Sequence, residues 1–544
     1  MDAPSPVDFS SVPDLLHVEP LPLADPDKTR LAIGLAFVGG GAGGLVGEVL
    51  DATPLAPSTW DRTLFENDLF LSTFVAQCFS PRIGGRDVVI EGKRLVRLLS
   101  HPPADPAIVE FRRDVVQELS RSTELRSALE KLYALLGDFR TVLEGATGLG
   151  RWDANARQIE LLQMFKDLVD HLAEGFASAR SGLGRLRAFG ERVRDSEPYR
   201  SLADLLRYDE NLATLSLKVG VGADGRIRGF EIVSVEANQQ NPFVSSTLRR
   251  WLVKLELFVR GFRFDDGEVM ARLIDAVFAG VQDDVVAVVR LLGGVELYLG
   301  ALAFADRATA AGLAVCLPEL VPWDGPRVLE GLFNPLLLAI TDKKIVPCDL
   351  ALEGHETTAL ITGPNSGGKT RLLQSIGLAQ LLAQAGLFVP ARAAKLALAR
   401  SMVVSIVQET RANQSEGRLG TELVRIRALF ERLKPGTVVI LDELCSGTNP
   451  SEGEEIFELV VRMLRKLQPH AFLTTHFLAF AATLEREHRI EGLRFLQVQL
   501  GPDQEPTYRF VPGVAKTSLA GQTAARLGVT GEALLALVER NMGG

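Results

Sequence analysis

Apolar positions recur along this chain with two different periods, and the change of period divides it. From Ala107 to Phe139 (AIVEFRRDVVQELSRSTELRSALEKLYALLGDF) apolar residues stand three and four apart with charges between them. That spacing predicts an amphipathic helical run. A second such run extends from Ala154 to about Ser196, with Gly182 and Gly184 as candidate interruptions, and reads as a lever or coiled-coil-like helix. Ser216 to Val235 (SLKVGVGADGRIRGFEIVSV) alternates apolar and polar residues on both sides of Asp224-Gly225, which predicts a β-hairpin. Helical spacing resumes from about Ser246 to Ala305.

From about Val328 the pattern becomes strand, loop and helix in alternation. TTALI (357–361), MVVSIV (402–407), TVVILDE (437–443) and AFLTTH (471–476) read as strands. Lys369–Ala385, Arg418–Leu433 (closed by Pro435-Gly436) and Gly453–Leu467 read as helices. The strand at 437 is apolar enough to be covered on both faces, as central parallel strands are. The expected fold class is multidomain, α plus α/β: a mostly helical core and lever region, then an α/β domain with a mainly parallel sheet. The expected boundaries are 1–75, of unclear fold; 76–325, helical with the small hairpin near 216–235; and 326–544, α/β with a C-terminal helical extension.

Composition narrows the possibilities. The chain has 544 residues, 47% of them hydrophobic and 23% charged, which suits a large globular core. Its net charge is −9, so a nucleic-acid surface would have to be a local basic patch. Arg112-Arg113, Arg249-Arg250 and Lys343-Lys344 are candidates, each equally readable as a solvated face. Cys78, Cys316, Cys348 and Cys445 are scattered without paired spacing. That pattern argues against a disulfide framework or a zinc site and fits a reducing cytosol. No basic start leads into an apolar signal core, and a cytoplasmic location is expected. The uncharged stretch Leu31–Gly47 leaves three readings open: a buried packing segment, a short membrane contact, or a dinucleotide loop through Gly39, Gly41 and Gly44.

The chemistry concentrates downstream. ITGPNSGGKT, 361–370, fits the phosphate-binding loop pattern, with Gly363 and Gly368 framing Pro364, Asn365, Ser366 and Gly367 ahead of Lys369 and Thr370. Glycines let backbone N–H groups converge on phosphate oxygens, and the following helix points its positive end at them. Lys369 is expected to reach the β and γ phosphates and Thr370 to ligate Mg²⁺. Asp442 and Glu443 end an apolar strand, which suits Asp442 to a magnesium role and Glu443 to polarising the attacking water. His476 ends the next strand and lies beside the γ-phosphate position if the strands are neighbours. Gln408, at the end of the strand 402–407, is a candidate for reading the metal or the water. Against each stands a plain structural role, weakest as an explanation where the motifs occur together.

GPNSGGKT, LDELCSGTNPSEGEE and TTHF, in this order and spacing, resemble the ATPase domain of the MutS family of DNA mismatch repair and recombination proteins, which belong to the ABC-type ATPases. Gly447, Thr448 and Asn449 occupy the family's short turn after the Asp-Glu pair, and YRFVPGVAKTSLAGQTAARLGV (508–529) resembles the stretch that follows the ATPase core. The likeness covers about 330–530, with a weaker one to the family's helical core domain at 86–128. It implies ATP and Mg²⁺ as ligands, two composite sites in a homodimer formed through the ATPase domain, and helices that link nucleotide state to a grip on mismatched, damaged or branched double-stranded DNA. Several departures accompany it. No Phe-x-Glu wedge occurs before the core-like region, and the expectation is a shortened relative with the clamp reduced to the hairpin near 216–235 and without the nuclease domain. The family's Ser-Thr-Phe-Met-x-Glu motif stands only as Gly417-Arg-Leu-Gly-Thr-Glu422, with Ser415 nearby, and Ile345 stands where relatives often place an aromatic against the base.

Two further readings remain beside the DNA-stimulated ATPase. One is another ABC-type machine, disfavoured because no Leu-Ser-Gly-Gly-Gln-like motif precedes the Asp-Glu strand. The other is an ATP-switched scaffold or membrane-associated relative without direct mismatch recognition, although membrane contact is not the expectation. A nucleoid association is expected for the DNA-bound state.

Overall fold

The computed structural model describes residues 12–22, 25–39, 47, 54–83, 86–88, 90, 92–145, 154–209, 213–221, 227–237, 266–340, 344–406, 418–445, 449–517 and 529–542. The chain divides into two compact units, one of residues 1–54 with 117–298 and one of residues 55–116 with 299–544.

The first unit is mainly helical. The helical run expected from Ala107 is two helices, Pro106–Arg121, of which residues 106–116 fall in the second unit, and Thr123–Leu143. The break falls at Ser122, whose hydroxyl accepts the N–H of Leu125 at 3.2 Å and caps a new helix. Leu125, Leu129, Leu132, Leu136 and Phe139 form the buried stripe of the second helix. The run from Ala154 is likewise divided, into Ala154–Gly175 and Gly184–Arg194, with the interruption at the glycine-bearing turn. These two helices approach closely at Gly190, where a Cβ would stand 2.4 Å from the backbone nitrogen of Ala173. Strands Ala213–Val221 and Ile227–Ala237 pair antiparallel as the expected hairpin, while Asp224-Gly225 lie outside the described residues. The helix expected from about Ser246 is described as Asp266–Ala310. Among the described residues it alone is long and apolar enough to cross a membrane, but its most apolar window is mostly buried, as in a core helix.

The stretch from Leu31 begins inside a 13-residue helix, Pro26–Val38. Asp25 caps it by accepting the N–H of Lys28 at 2.9 Å, and Gly39 ends it at φ +89°. Ala32, Ile33, Ala36 and Phe37 are buried, and Phe37 stacks on Phe278 with ring centroids 3.7 Å apart. These four residues follow the packing reading, whereas Leu31, Leu35 and Val38 on the same helix are exposed; Gly41 and Gly44 lie outside the described residues. The buried guanidinium of Arg157 donates to the carbonyls of Ala36 (2.9 Å), Phe37 (2.9 Å), Val142 (2.8 Å) and Leu143 (3.0 Å). One cation thus closes the negative ends of two helices. Burial pulls its pKa below the usual arginine value.

In the second unit the strand–helix alternation builds two sheets. Strands β1 (Arg327–Leu332) and β2 (Cys348–Leu352) pair antiparallel. Strand β3 (Thr358–Thr362) leads into helix α1 (Lys369–Gln384). After β4 (Ala393–Leu396) come β5 (Ser401–Ser405), α2 (Arg418–Arg432), β6 (Thr437–Leu441), α3 (Pro450–Leu467), β7 (His470–Thr474), α4 (Leu478–Glu487), β8 (Leu493–Leu500), β9 (Pro506–Pro512) and α5 (Gly531–Met542). The larger sheet has the order β5-β6-β7-β3-β8-β9, parallel except for β9. Every residue of β3, β6 and β7 is buried, which explains their unbroken apolar runs. A smaller sheet joins Glu319–Leu320, β4, β1 and β2. Residues 55–116 pack into this same unit: the Trp60 indole N–H donates to the Ala399 carbonyl at 3.1 Å, and Asp68 accepts the Ile406 N–H at 2.6 Å.

Arg157→Met strips four carbonyls of their buried donor and is expected to lower stability by about 3 kcal/mol. Urea denaturation checks this, and an unchanged midpoint would remove Arg157 from its place as the double helix cap.

Candidate nucleotide-binding site

The parallel order sets the site. Strand β3 carries the glycine loop, β6 carries Asp442 and Glu443, β7 carries His476 beyond its end, and β7 lies between the other two. Their C-terminal ends therefore open on one edge of the sheet, where open α/β sheets bind ligands. The backbone ties this edge together: Asp442 donates its N–H to the Ser405 carbonyl at 3.0 Å and Thr475 donates to Ile361 at 3.2 Å.

The loop is cut to bare backbone. Gly363 has φ +143°, and a Cβ there would stand 2.5 Å from a Val498 methyl. Gly367 meets the same methyl, at 2.8 Å. Gly368, at φ +86°, is the N-cap of α1. Asn365 and Ser366 are exposed, while Pro364 is buried and accepts the N–H of Gly367 at 2.9 Å. Lys369 is 3% exposed, and its Nζ donates to the carbonyls of Gly363 (3.0 Å) and Pro364 (3.2 Å). It also lies 3.7 Å from Glu443 Oε1. Burial lowers its pKa, opposed by the carboxylates of Glu443 and Asp442.

The carboxylates are linked through hydroxyls. Thr370 Oγ1 donates to Asp442 Oδ2 at 2.5 Å. Thr474 Oγ1 donates to Asp442 Oδ1 at 2.5 Å and accepts the Glu443 N–H at 2.8 Å. Glu443 itself has a left-handed backbone, φ +46°. His476 is exposed and packs on Phe477 with ring centroids 4.2 Å apart. Asn449 caps α3 by accepting the Ser451 N–H at 3.3 Å. Gln408, Ser415, Gly417, Gly447 and Thr448 lie outside the described residues.

Beside the loop is a cavity of about 280 Å³ lined by Lys344, Ile345, Gly368, Arg371, Tyr508 and Phe510 among others. It adjoins the loop at Gly368. Ile345, the residue singled out in the sequence, forms part of its wall, and Tyr508 sits so close that a Cβ on Gly368 would meet its ring at 3.2 Å. The sequence reading had assigned no role to Thr474, Tyr508 or Phe510. The signal for Thr474 in the sequence is its place as the first residue of the TTHF motif. Of the basic pairs, Arg112 is 2% exposed and so is neither a solvated face nor a phosphate contact. Lys344 is exposed, whereas Arg249, Arg250 and Lys343 lie outside the described residues.

The donor set fits a triphosphate with a hard cation. The glycines leave room a side chain would fill, Lys369 supplies a positive charge, and Thr370 with Asp442 offers oxygen ligands. Among the described residues no group of three His, Cys, Asp or Glu side chains could hold a metal by itself. Magnesium commonly takes only one or two protein oxygens beside phosphate and water.

Residues 359–539 match the family model for MutS domain V. Over 275 residues the chain is 31% identical to the endonuclease MutS2 of Thermomicrobium roseum, covering 48% of this chain and 33% of that protein. It is 35% identical over 198 residues to the endonuclease MutS2 of Carboxydothermus hydrogenoformans, covering 36% of this chain and 25% of the relative. A longer match, 27% identical over 405 residues, covers 69% of this chain and 49% of the endonuclease MutS2 of Streptococcus gordonii. The chain thus spans between a quarter and a half of the length of these relatives.

Gly363→Ala forces a methyl onto Val498 and is expected to cost about 2 kcal/mol of stability. Val498→Ala in the same chain should recover about 1 kcal/mol of that loss in a double-mutant cycle of chemical denaturation. Strict additivity would contradict the contact.

Proposed function

Because the chain belongs to the MutS family through its domain V, we propose that it is a Mg²⁺-dependent ATPase whose nucleotide state switches its grip on duplex DNA. The observation that carries this reading is the meeting of Lys369, Thr370, Asp442 and Glu443 at one sheet edge. In the proposed cycle the phosphates enter the glycine loop, and their oxygens draw Lys369 Nζ away from the Gly363 and Pro364 carbonyls. The backbone N–H groups of 363–370 and the positive end of α1 hold the remaining charge. Thr370 and Asp442 would hold Mg²⁺, which neutralises developing charge on the transferred phosphoryl group. Glu443 orients a water and accepts its proton as the water oxygen attacks the γ phosphorus, while the bond from that phosphorus to the bridging oxygen breaks and ADP leaves with the electron pair. His476 approaches the terminal phosphate from the end of β7, and Gln408 assists at the metal or the water. The base would occupy the cavity between Ile345 and Tyr508.

A homodimer closing over two such sites is part of the proposal. Helix α5 supports it, because none of its residues is buried and Leu534, Leu535, Leu537 and Val538 are all exposed. Four large apolar side chains on one exposed helix call for a cover, and a second copy of the domain supplies one. The DNA proposed is mismatched, damaged or branched duplex, in mismatch repair or recombination, and the proposed location is the cytoplasm and nucleoid. A second reading, an ATP-switched scaffold without mismatch recognition, is favoured by the net charge of −9 and by the burial of Arg112.

One experiment separates the readings. ATP turnover is measured alone and with homoduplex, mismatched duplex and a four-way junction at modest salt. Turnover should rise with the mismatched or branched form, and Glu443→Gln should lose about 100-fold or more while still binding ATP. Turnover indifferent to every DNA would favour the scaffold, and normal turnover in Glu443→Gln would refute the role of Glu443.

A further inference from the structure

Asp442 and Glu443 lie beyond the last residue of β6, where the sheet holds only the Asp442 backbone, through its N–H to the Ser405 carbonyl, and sets the direction of neither carboxylate. Glu443 moreover has a backbone conformation that residues other than glycine rarely adopt. One side chain from the neighbouring strand ties both. Thr474, the last residue of β7, is fully buried, and its single hydroxyl makes two bonds. It donates to Asp442 Oδ1 and accepts from the Glu443 N–H. A hydroxyl has one proton and two lone pairs, so it can serve as donor and acceptor at once.

Each bond has a separate consequence. With Oδ1 occupied by Thr474, the other oxygen of Asp442, Oδ2, faces Thr370. The carboxylate is thereby fixed about its Cβ–Cγ bond, with its outward oxygen beside the second candidate magnesium ligand. The bond to the Glu443 N–H anchors the residue at the turn from which its carboxylate projects to within 3.7 Å of Lys369. Full burial of Thr474 leaves no solvent to take over either bond.

We propose that Thr474 is a positioning residue for ATP hydrolysis, whose hydroxyl sets the orientation of the Asp442 carboxylate and the direction in which Glu443 projects. This rests on the ATPase reading above. Thr474 touches neither phosphate nor water in this role and acts through the two acidic residues. It should therefore govern the chemical step much more than nucleotide binding, which the glycine loop and Lys369 supply.

The test compares the full-length wild type with Thr474→Ser, Thr474→Ala and Thr474→Val in steady-state ATP turnover and in magnesium-free binding of a fluorescent ATP analogue. Serine should keep kcat within about threefold of wild type, whereas alanine and valine should lose about 10- to 100-fold, the worth of one or two buried hydrogen bonds. KM for ATP and analogue binding should move less than about threefold in every variant. The serine–alanine pair decides if valine does not fold, since both lack the threonine methyl and only serine keeps the hydroxyl. Serine and alanine falling together, alanine keeping its kcat, or a loss confined to KM would each make Thr474 a packing residue and overturn the inference while leaving the ATPase reading intact. A wild type that turns over no ATP would overturn the ATPase reading itself.

Discussion

The Asp442 carboxylate held between two threonine hydroxyls is the constraint on which the rest of the site depends. Thr370 comes from the start of α1 and Thr474 from the end of β7. Their meeting on one carboxylate requires β6, β7 and β3 to be neighbours in a fixed register. That register pairs Val439 with Ala471, and Leu473 with Leu360. A slip of one residue would turn every side chain of a strand to the opposite face. Three strands buried on both faces make such a slip costly, because each would have to repack its whole length against the covering helices. The apolar core is thus what gives the polar site its precision.

The same edge shows how a nucleotide could act on the protein. Lys369 is buried and held by loop carbonyls, with a carboxylate 3.7 Å away. A phosphate offers it a stronger acceptor, so binding must rearrange the lysine and with it the balance of charge around Glu443. A ligand shifts an equilibrium only through such differential contacts. The long helix Asp266–Ala310 contributes residues to both compact units of the chain.

The legible parts of the fold were those with short-range signatures. The glycine loop, the Asp-Glu pair and the buried strands are written in consecutive residues, and they fold where the spacing placed them. Helix existence was also legible, but helix ends were not. Ser122 divides a run whose apolar period continues across it, because a local cap outweighed the periodicity. Long-range contacts were hidden for a different reason. The role of Thr474 depends on which strand lies beside it, and nothing within β7 declares that neighbour. Trp60 and Asp68 bond to Ala399 and Ile406 across more than 330 positions of sequence, so the packing of 55–116 with the α/β residues left no local mark. Arg112 looked like a surface cation and is buried, since a doublet of arginines does not reveal which helix face it occupies.

Titration of ATP into wild type and Asp442→Asn by calorimetry, with Mg²⁺ and then with EDTA, tests the central role of that carboxylate most directly. Mg²⁺ is expected to tighten ATP binding to the wild type by about tenfold or more, a gain of about 1.4 kcal/mol, and to leave binding to Asp442→Asn unchanged. An equal gain from Mg²⁺ in both proteins would mean that the metal is held elsewhere, and that Asp442 is not the centre of the site.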